Sequence, residues 1–304
     1  MELAHRPARS PVMAYSFKHK GSIQDGVRRI AASQLDMALE EIDDLPRDEA
    51  VHQGRKRCKK LRGLIRIIRP GFADYHDENA ALRDAARRLS DIRDRTAMIE
   101  AFDRVAGRFE NDLEKGALAP VRRALKERKK ALDKSDMHEK LECFRNDLIG
   151  VRERAADWSV DGSGLDAVEG GVKKTYARAI ATMEKAKEYP TGEALHEWRK
   201  RVKYHWYHAR LLKRAWRPVM EAHIGAADAL SDLLGDHHDL VVFEDMLKDG
   251  ALDAQGEAGE LFVGLIKTRR DKLEEQAFKK GAVLCAEKPK ALARRWTRYW
   301  RAAA

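Results

Sequence analysis

Nine residues that occur twice decide how this sequence is interpreted. The first copy is Val51-His52-Gln53-Gly54-Arg55-Lys56-Arg57-Cys58-Lys59, and the second is Leu195-His196-Glu197-Trp198-Arg199-Lys200-Arg201-Val202-Lys203. The histidine and four of the cations keep the same spacing in both copies, which lie about 145 residues apart. Self-similarity at a fixed offset is the signature of an internal repeat, and overlooking it would misassign the whole fold.

Two further pairs of segments recur in the same order and at about the same offset. Residues 26–29 recur as residues 171–174, and residues 89–94 recur as residues 234–239. One short match arises easily by chance, whereas three collinear matches at one offset predict an internal duplication.

The boundary between the predicted halves falls near residue 162. The stretch Asp161-Gly162-Ser163-Gly164 has the glycine and serine content of a flexible connection and no apolar periodicity. We therefore predict a flexible N-terminal tail over residues 1–20, a first repeat over 21–161 and a second over 162–304, which together make one domain.

Composition and periodicity both predict an all-α protein. Apolar residues make up 43% of the chain and aromatic residues only 7%, and apolar residues recur every three or four positions, the spacing of one helical face. In the first helix this face is Val27, Ile30, Ala31, Leu35, Ala38 and Ile42. Helix breaks are predicted at Pro46, Pro70-Gly71, 116–120, 189–192 and 250–256. These breaks predict two pseudo-symmetric bundles of four helices each.

The first copy of the repeated segment predicts a helix with one cationic face. At about 100° per residue, this face holds His52, Arg55, Lys56, Lys59, Arg62 and Arg66. No acidic residue lies between His52 and Arg69. A solvated helix face normally mixes charges, because an acid four positions before a cation stabilises a helix by about 0.2–0.5 kcal/mol. The absence of acids therefore favours a binding face.

The second copy carries the corresponding face, formed by His196, Arg199, Lys200, Lys203, Tyr207 and Arg210. Such a face presents a cation about every 5.4 Å along the helix axis, and arginine and lysine are the usual ligands of phosphate oxygens. With a net charge of +10, the chain is expected to bind anions. Two facing stripes would form a basic channel for a polyanion.

These motifs resemble the conserved-histidine α-helical domain family, known as CHAD. The likeness rests on His52-x-x-Arg55-x-x-x-Lys59-Lys60-Leu61-Arg62 and on His196-x-x-Arg199-Lys200-Arg201-x-Lys203. The segments Asp91-x-Arg93-Asp94 and Gly235-Asp236-x-x-Asp239 support it. It covers about residues 20–300 and implies two helical bundles, a basic channel that binds inorganic polyphosphate, and association with polyphosphate granules. This motif adds Lys60 to the candidate ligands. The other repeated segments add Arg28, Lys173 and Arg93.

The chain also departs from the family pattern. Relatives often carry arginine where this chain has Lys59 and Lys60, and the second copy continues with Tyr204, His205 and Trp206. Some relatives are fused to a triphosphate-processing domain with a Glu-x-Glu-x-Lys signature, which is missing from this sequence. Neither a phosphate-binding loop nor a hydrolase motif occurs, so we expect a binding protein without catalytic residues, metal or cofactor.

Two alternatives remain open from the residues. Aromatic residues among cations, as at Trp206 and Tyr207, would suit stacking on the bases of a nucleic acid. The run His237-His238-Asp239 would suit a metal-dependent phosphohydrolase, although its counterpart contains Arg93 and favours a structural role, in which Asp91 and Asp236 orient cations of the stripes.

Cysteine content and the lack of apolar segments bear on localisation. Cys58, Cys143 and Cys285 are odd in number and far apart, so no disulfide framework or zinc site is expected. Neither a signal peptide nor a membrane span is evident. The sequence predicts a cytoplasmic protein, and the family resemblance implies a location on polyphosphate granules.

Overall fold

The described residues of the computed structural model are 15–109, 118–130, 134–248 and 257–304. Within these ranges the chain forms eleven α-helices, one short 3₁₀ turn and no β-strand. The helices are α1 (Ile23–Asp44), α2 (Arg47–Ile67), α3 (Tyr75–Arg88), α4 (Ser90–Arg108), α5 (Ala119–Lys130), α6 (Lys134–Ala155), α7 (Leu165–Glu188), α8 (Gly192–Leu211), α9 (Arg217–Lys248), α10 (Glu257–Leu284) and α11 (Pro289–Ala302). The 3₁₀ turn, Arg69–Gly71, follows α2. The all-α prediction is confirmed.

Local sequence signals explain several helix ends. Ser22 caps α1 by accepting a hydrogen bond from the amide of Asp25, whose carboxylate reaches back to the amide of Ser22. Thr191 caps α8 through the amide of Ala194. Breaks fall as predicted at Pro46, at 70–71 and at 189–192, whereas residues 250–256 lie outside the described part.

The helix count differs from four per half. Six of the described helices precede residue 162 and five follow it. The extra break between α3 and α4 falls at Leu89, whose backbone angles are −98° and 9° and whose side chain is fully buried. No glycine or proline lies at this position. Because the sequence prediction relied on such helix-breaking residues, it treated α3 and α4 as one helix.

The hydrophobic interior does not divide at the predicted boundary. The main core joins residues of the first half, such as Ile30 and Leu61, to Trp198 and Trp296 of the second half. A smaller core is formed by α4, α5, α9 and α10 and contains Phe102, Phe243 and Phe262, again from both halves. Because both cores cross residue 162, the halves are packed as one unit.

The N-terminal tail is shorter than predicted. Residues 1–14 lie outside the described part, but Tyr15 and Phe17 are buried. The Tyr15 hydroxyl donates a hydrogen bond of 2.7 Å to the carbonyl of Lys60, and the Phe17 amide donates one of 2.9 Å to the carbonyl of Leu211. These two aromatic anchors hold residues 15–17 against the ends of α2 and α8, so the predicted flexibility is wrong there.

Helices α2 and α8, which carry the two repeated segments, pack against each other. They approach closely at Gly63, whose carbonyl oxygen lies 3.2 Å from Nε2 of the buried His208. This contact brings the two cationic faces together, which the sequence left undecided. No helix in the described ranges has the length and apolarity needed to cross a bilayer.

Candidate polyanion-binding groove

The face of α2 that points away from the core is cationic and unpaired. His52, Lys56 and Lys59 are exposed, while Arg55 and Arg62 are partly buried. Arg55 donates to the carbonyl of Ala86 at 2.5 Å and to the Ser90 hydroxyl at 2.6 Å, and Arg62 donates to the amide oxygen of Asn79 at 3.2 Å. In the described part of the chain none of these four cations forms an ion pair, so their charge remains available for a ligand.

Lys59 marks the place where the two cationic faces meet. Its ammonium is close to Arg55 on its own helix and to Arg199 and Lys203 on α8. Burial, followed by these neighbouring positive charges, lowers the pKa of Lys59 from 10.5 to about 8. Lys59 is nevertheless open to solvent. Lys59 therefore lies where the cationic faces of α2 and α8 adjoin, and we call this surface between the two helices the groove.

Both predicted histidines lie at this groove in their neutral form. Burial and the nearby charges of Arg93 and Lys56 lower the pKa of His52. Burial, the ring of His238 and adjacent cations lower the pKa of His196 to about 4. The centres of the His196 and His238 rings lie 4.1 Å apart, and the ring planes are tilted by 35°. At neutral pH both histidines therefore act as hydrogen-bonding groups rather than as cations.

The second cationic face is partly neutralised, unlike the first. Lys200 forms an ion pair with Glu197 on the same helix, and Lys203 lies 3.2 Å from Asp228 of α9. Arg199 has no acidic partner among the described residues. The sequence predicts that the halves are unequal because of the aromatic residues of α8, and the structure adds an electrostatic difference that comes from Asp228.

Three predicted ligands lie in the protein interior instead of on the open face. Tyr207, Lys60 and Arg66 are 4%, 9% and 8% exposed. Tyr207 packs edge to face on Tyr15, with ring centres 5.8 Å apart. These three residues do not lie on the open cationic faces as predicted. They are buried because α2 and α8 cover each other around Gly63 and the N-terminal segment covers the adjoining surface.

The two buried cations have aromatic and neutral partners. The Lys60 ammonium lies 5.9 Å from the centre of the Tyr15 ring, and burial followed by neighbouring cations lowers the pKa of Lys60 to about 7. Arg66 donates to the Tyr75 hydroxyl at 2.6 Å and to Asn79 at 2.9 Å. Both cations are thus held among neutral groups, and Nε of Arg66 has no hydrogen-bond partner.

The remaining candidates are distributed unevenly. Arg93 of α4 lies near Lys59 and His52, and also forms an ion pair of 2.8 Å with Glu100. Arg210 lies over the Trp206 ring at 4.5 Å. Arg28 donates to the carbonyl of Trp158 at 2.8 Å and thereby fastens α1 to the connection before α7. Lys173 is exposed and makes no described polar contact.

The repeated aspartates do not orient the stripes as predicted. Asp91 pairs with Lys140 of α6 at 2.7 Å, and Asp236 pairs with Arg108 of α4 at 2.7 Å. Both partners lie outside the two cationic faces. The charge of Asp94, and to a smaller extent that of Asp91, opposes the effect of burial on the pKa of Arg55.

The His237-His238-Asp239 run does not converge on a metal position. His237 is buried and lies 2.7 Å from Glu274, the His238 ring contacts the His196 ring, and Asp239 pairs with Arg104. Among the described residues no three histidine, cysteine, aspartate or glutamate side chains lie close enough to share a metal ion. Successive residues of a helix point about 100° apart, which explains the divergence of these side chains.

The sequence did not reveal two α9 side chains that contact residues of the groove. Asp228 and His238 lie 25 and 42 residues beyond Lys203 and His196 respectively, and only the packing of α9 on α8 brings them into contact. His238 had a sequence signal, its neighbouring histidine and aspartate, but that signal suggested a metal. Asp228 had none.

Comparisons with known proteins agree with the helical architecture. The description "CHAD domain" belongs to the family model that matches residues 29–248. The fold is similar to the crystal structure of the CHAD domain from the plant Ricinus communis, with a TM-score of 0.60 and 15% sequence identity, covering 93% of this chain and 97% of that one. A comparison with curated proteins finds no match.

At 15% identity the Ricinus communis structure supports the fold alone. The family match is stronger because it extends over more than half of the chain and includes both repeated segments. The chain therefore belongs to the CHAD domain family.

Proposed function

We propose that this protein binds inorganic polyphosphate in the groove between α2 and α8, without catalysing a reaction on it. The observation that carries the proposal is the position of Lys59, which lies between cations of both helices while no carboxylate pairs with it among the described residues. Family membership supports the same conclusion, because CHAD domains are associated with polyphosphate.

The electrostatics of the groove favour an extended anion with many charges. Like charges held close together in a partly desolvated groove repel one another. A chain of phosphates would replace this repulsion with charge-assisted hydrogen bonds to Arg55, Arg199 and the neighbouring lysines. The rise of about 5.4 Å per helical turn lets one chain contact successive cations.

Polyphosphate fits the groove better than a nucleic acid does. Binding of bases requires exposed aromatic faces, but the Trp206 ring is already covered by Lys203 at 4.0 Å and by Arg210 at 4.5 Å. Tyr207 is buried. Polyphosphate has no bases and needs only the cations, so we rank nucleic acid second.

The test is competition for labelled long-chain polyphosphate by unlabelled RNA. We compare the wild type with a variant that combines Arg55→Ala, Lys59→Ala, Arg199→Ala and Lys203→Ala. The matched control replaces four exposed cations that form no described ion pair, Arg123, Lys126, Lys187 and Lys272, with alanine. Both variants lose four positive charges, so a difference between them reports position rather than net charge.

The groove variant is expected to lose most of its binding, while the control stays close to the wild type. Wild-type binding should weaken steeply with salt, by roughly 10³ to 10⁵ between about 50 and 200 mM if six to ten phosphates are contacted. Undiminished binding by the groove variant would refute the site, and displacement by RNA at lower concentration than by polyphosphate would favour the nucleic-acid function.

The cellular expectation follows from the same binding. A fluorescent fusion of the wild type should collect on polyphosphate granules in the cytoplasm, and the groove variant should stay dispersed. Equal accumulation of both proteins would show that another surface directs localisation.

A further inference from the structure

A close contact of α7 with the end of α2 places additional cations beyond the groove. A Cβ atom on Gly171 would lie 1.9 Å from the carbonyl oxygen of Ile67, and one on Gly170 would lie 2.9 Å from Pro70. Only glycine allows this approach, because backbone atoms cannot move aside as a flexible side chain can. The contact fixes the following turns of α7 beside Arg69.

Lys174 and Arg178 follow Gly171 by three and seven residues and lie on the same side of α7. The charges of Arg69 and Arg178 lower the pKa of Lys174, and Arg178 also lowers that of Arg201 on α8. The approach of Gly170 and Gly171 to Pro70 and Ile67 puts Lys174 and Arg178 beside Arg69, and the packing of α7 on α8 adds Arg201. We call Arg69, Lys174, Arg178 and Arg201 the distal cluster.

The distal cluster has unused capacity to bind an anion. Within the described part of the chain Arg201 pairs with Glu197 at 3.3 Å, but Arg69, Lys174 and Arg178 form no ion pair. The guanidinium of Arg69 rests 5.3 Å from the centre of the Tyr75 ring, and its Nε and Nη2 atoms are buried without a hydrogen-bond partner. The exposed Lys174 and Arg178 are therefore the members of the cluster that are open to an anion.

The distal cluster is continuous with the groove. Arg62 and Arg69 lie about two helical turns apart at the end of α2, with the buried Arg66 between them. On α8, Lys200 of the groove is close enough to Arg201 and Arg62 for their charges to lower its pKa. A chain lying on Lys59 can therefore pass over Arg62 and reach the cluster.

The opposite end of the groove is closed at the corresponding positions. Gly26, the counterpart of Gly171, faces the Phe17 ring, which a Cβ would meet at 2.8 Å. Arg29, the counterpart of Lys174, donates to the carbonyl of Ser16 at 2.7 Å. Residues 15–17 therefore occupy one end of the groove, whereas Lys174 and Arg178 at the other end are exposed.

Ion pairs also neutralise cations at the closed end. Arg57, the counterpart of Arg201, donates to Glu41 at 3.1 Å, and Lys213, near the counterpart of Arg69, lies 2.7 Å from Glu221. At the other end Arg201 also pairs with an acid, Glu197, whereas Arg69, Lys174 and Arg178 have no acidic partner among the described residues.

From this contrast we propose that the polyphosphate chain leaves the groove at one end only, over Arg69, Lys174 and Arg178, and that the distal cluster is a subsite that selects long chains. This inference rests on the proposed function. A short chain fills the groove around Lys59 alone, whereas a longer chain gains the additional contacts of the cluster.

The test compares tripolyphosphate with long-chain polyphosphate as ligands. The variant is Lys174→Ala with Arg178→Ala, two exposed positions whose loss should leave the fold intact. The matched control is Lys185→Ala with Lys187→Ala, two exposed cations on the same helix. Thermal unfolding followed by circular dichroism verifies that all three proteins are equally folded.

The distal variant is expected to bind long chains roughly ten- to hundredfold more weakly, as for the loss of two charge-assisted contacts. The slope of its log affinity against log salt should fall by about two. Its affinity for tripolyphosphate, and both affinities of the control, should stay unchanged.

Different results would overturn the two proposals separately. If the wild type binds long chains and the distal variant binds them equally well, or if both ligands weaken equally, the subsite is refuted and the proposed function stands. If the wild type binds no polyphosphate of any length, the proposed function fails, and the subsite fails with it.

Discussion

Gly63 of α2 and Tyr207 of α8 meet so closely that a Cβ atom on Gly63 would lie 2.9 Å from the Cβ of Tyr207. The two residues are separated by the same number of positions as His52 and His196, so they occupy corresponding places in the repeated segments. A contact between corresponding positions is what a twofold relation between duplicated halves would produce. The duplication itself stays a prediction from the sequence.

Replacing Gly63 with alanine should separate the two helices. We expect Gly63→Ala to lower the free energy of unfolding by about 1–3 kcal/mol, the usual effect of overpacking a core, and to weaken polyphosphate binding because the cationic faces move apart. Chemical unfolding and a binding titration measure the two effects. The control is Gly225→Ala in α9, where a Cβ would meet nothing within 4 Å.

At Gly225 alanine should be neutral or stabilise the helix by up to about 1 kcal/mol. Equal stability of the two variants would mean that the helices accommodate a side chain at Gly63, contrary to the geometry.

Polyphosphate affinity should depend on pH through Lys59. The pKa of Lys59 is about 8 in the free protein, and binding of an anion favours the charged form, so affinity should fall as the pH rises through 8 and binding should take up protons there. Calorimetry in buffers of different ionisation enthalpy measures this uptake. Lys59→Arg stays charged and should reduce the pH dependence, whereas an unchanged profile would assign it to another group.

The stability of the protein should follow the opposite trend. Because the folded-state pKa of Lys59 lies below its ordinary value of 10.5, the lysine disfavours folding while it is charged below pH 8, and this effect disappears as the pH rises from 8 to 10.5. The difference in unfolding free energy between wild type and Lys59→Met should therefore shrink over that range.

Removing the acid that pairs with Lys203 should strengthen polyphosphate binding. Asp228 lies 3.2 Å from Lys203 and competes with a phosphate for it. Partly exposed ion pairs contribute roughly 0.2–1 kcal/mol, so Asp228→Asn should raise affinity by no more than about fivefold. Asp103→Asn, which frees Arg122 of α5, makes the same charge change elsewhere. An equal gain in both variants would show that only net charge matters.

The smaller core, rather than the ion pairs beside it, should hold α4 against α9. Arg108 and Asp236 are 46% and 31% exposed, so a double-mutant cycle on this pair should give a coupling energy below about 1 kcal/mol. Phe243 is fully buried and packs on Phe102, and Phe243→Ala should cost about 3–5 kcal/mol. Denaturant unfolding compares the two, and a coupling larger than the cost of Phe243→Ala would reverse the ranking.

The sequence alone determined the features that depend on neighbours along the chain. Apolar spacing placed Val27, Ile30, Leu35 and Ala38 in the core, where the structure has them. Pro46 and the 189–192 stretch marked helix ends correctly. The acid-free face of α2 was also visible, because residues three and four positions apart share one side of a helix whatever surrounds it.

Only the tertiary structure decided which of these cations face solvent. Periodicity put Arg66 and Tyr207 on the stripes, but the crossing of α2 and α8 at Gly63 buries both. Lys59 and Lys203 have equivalent places in the repeat, yet only Lys203 meets an acid, Asp228. A helical pattern reports which side chains share a face and carries no information about what another helix brings against that face.

The two ends of the groove show most clearly which features follow from the sequence pattern and which follow from packing. The repeated segments made Arg29 and Lys174 equivalent, and the sequence offered no reason to treat them differently. Packing distinguishes them, because the carbonyl of Ser16 accepts a hydrogen bond from Arg29, whereas Lys174 stands beside Arg69 and Arg178 without an acidic partner in the described residues. Contacts between distant residues depend on burial of apolar anchors such as Phe17, which follows from the whole fold and not from local spacing.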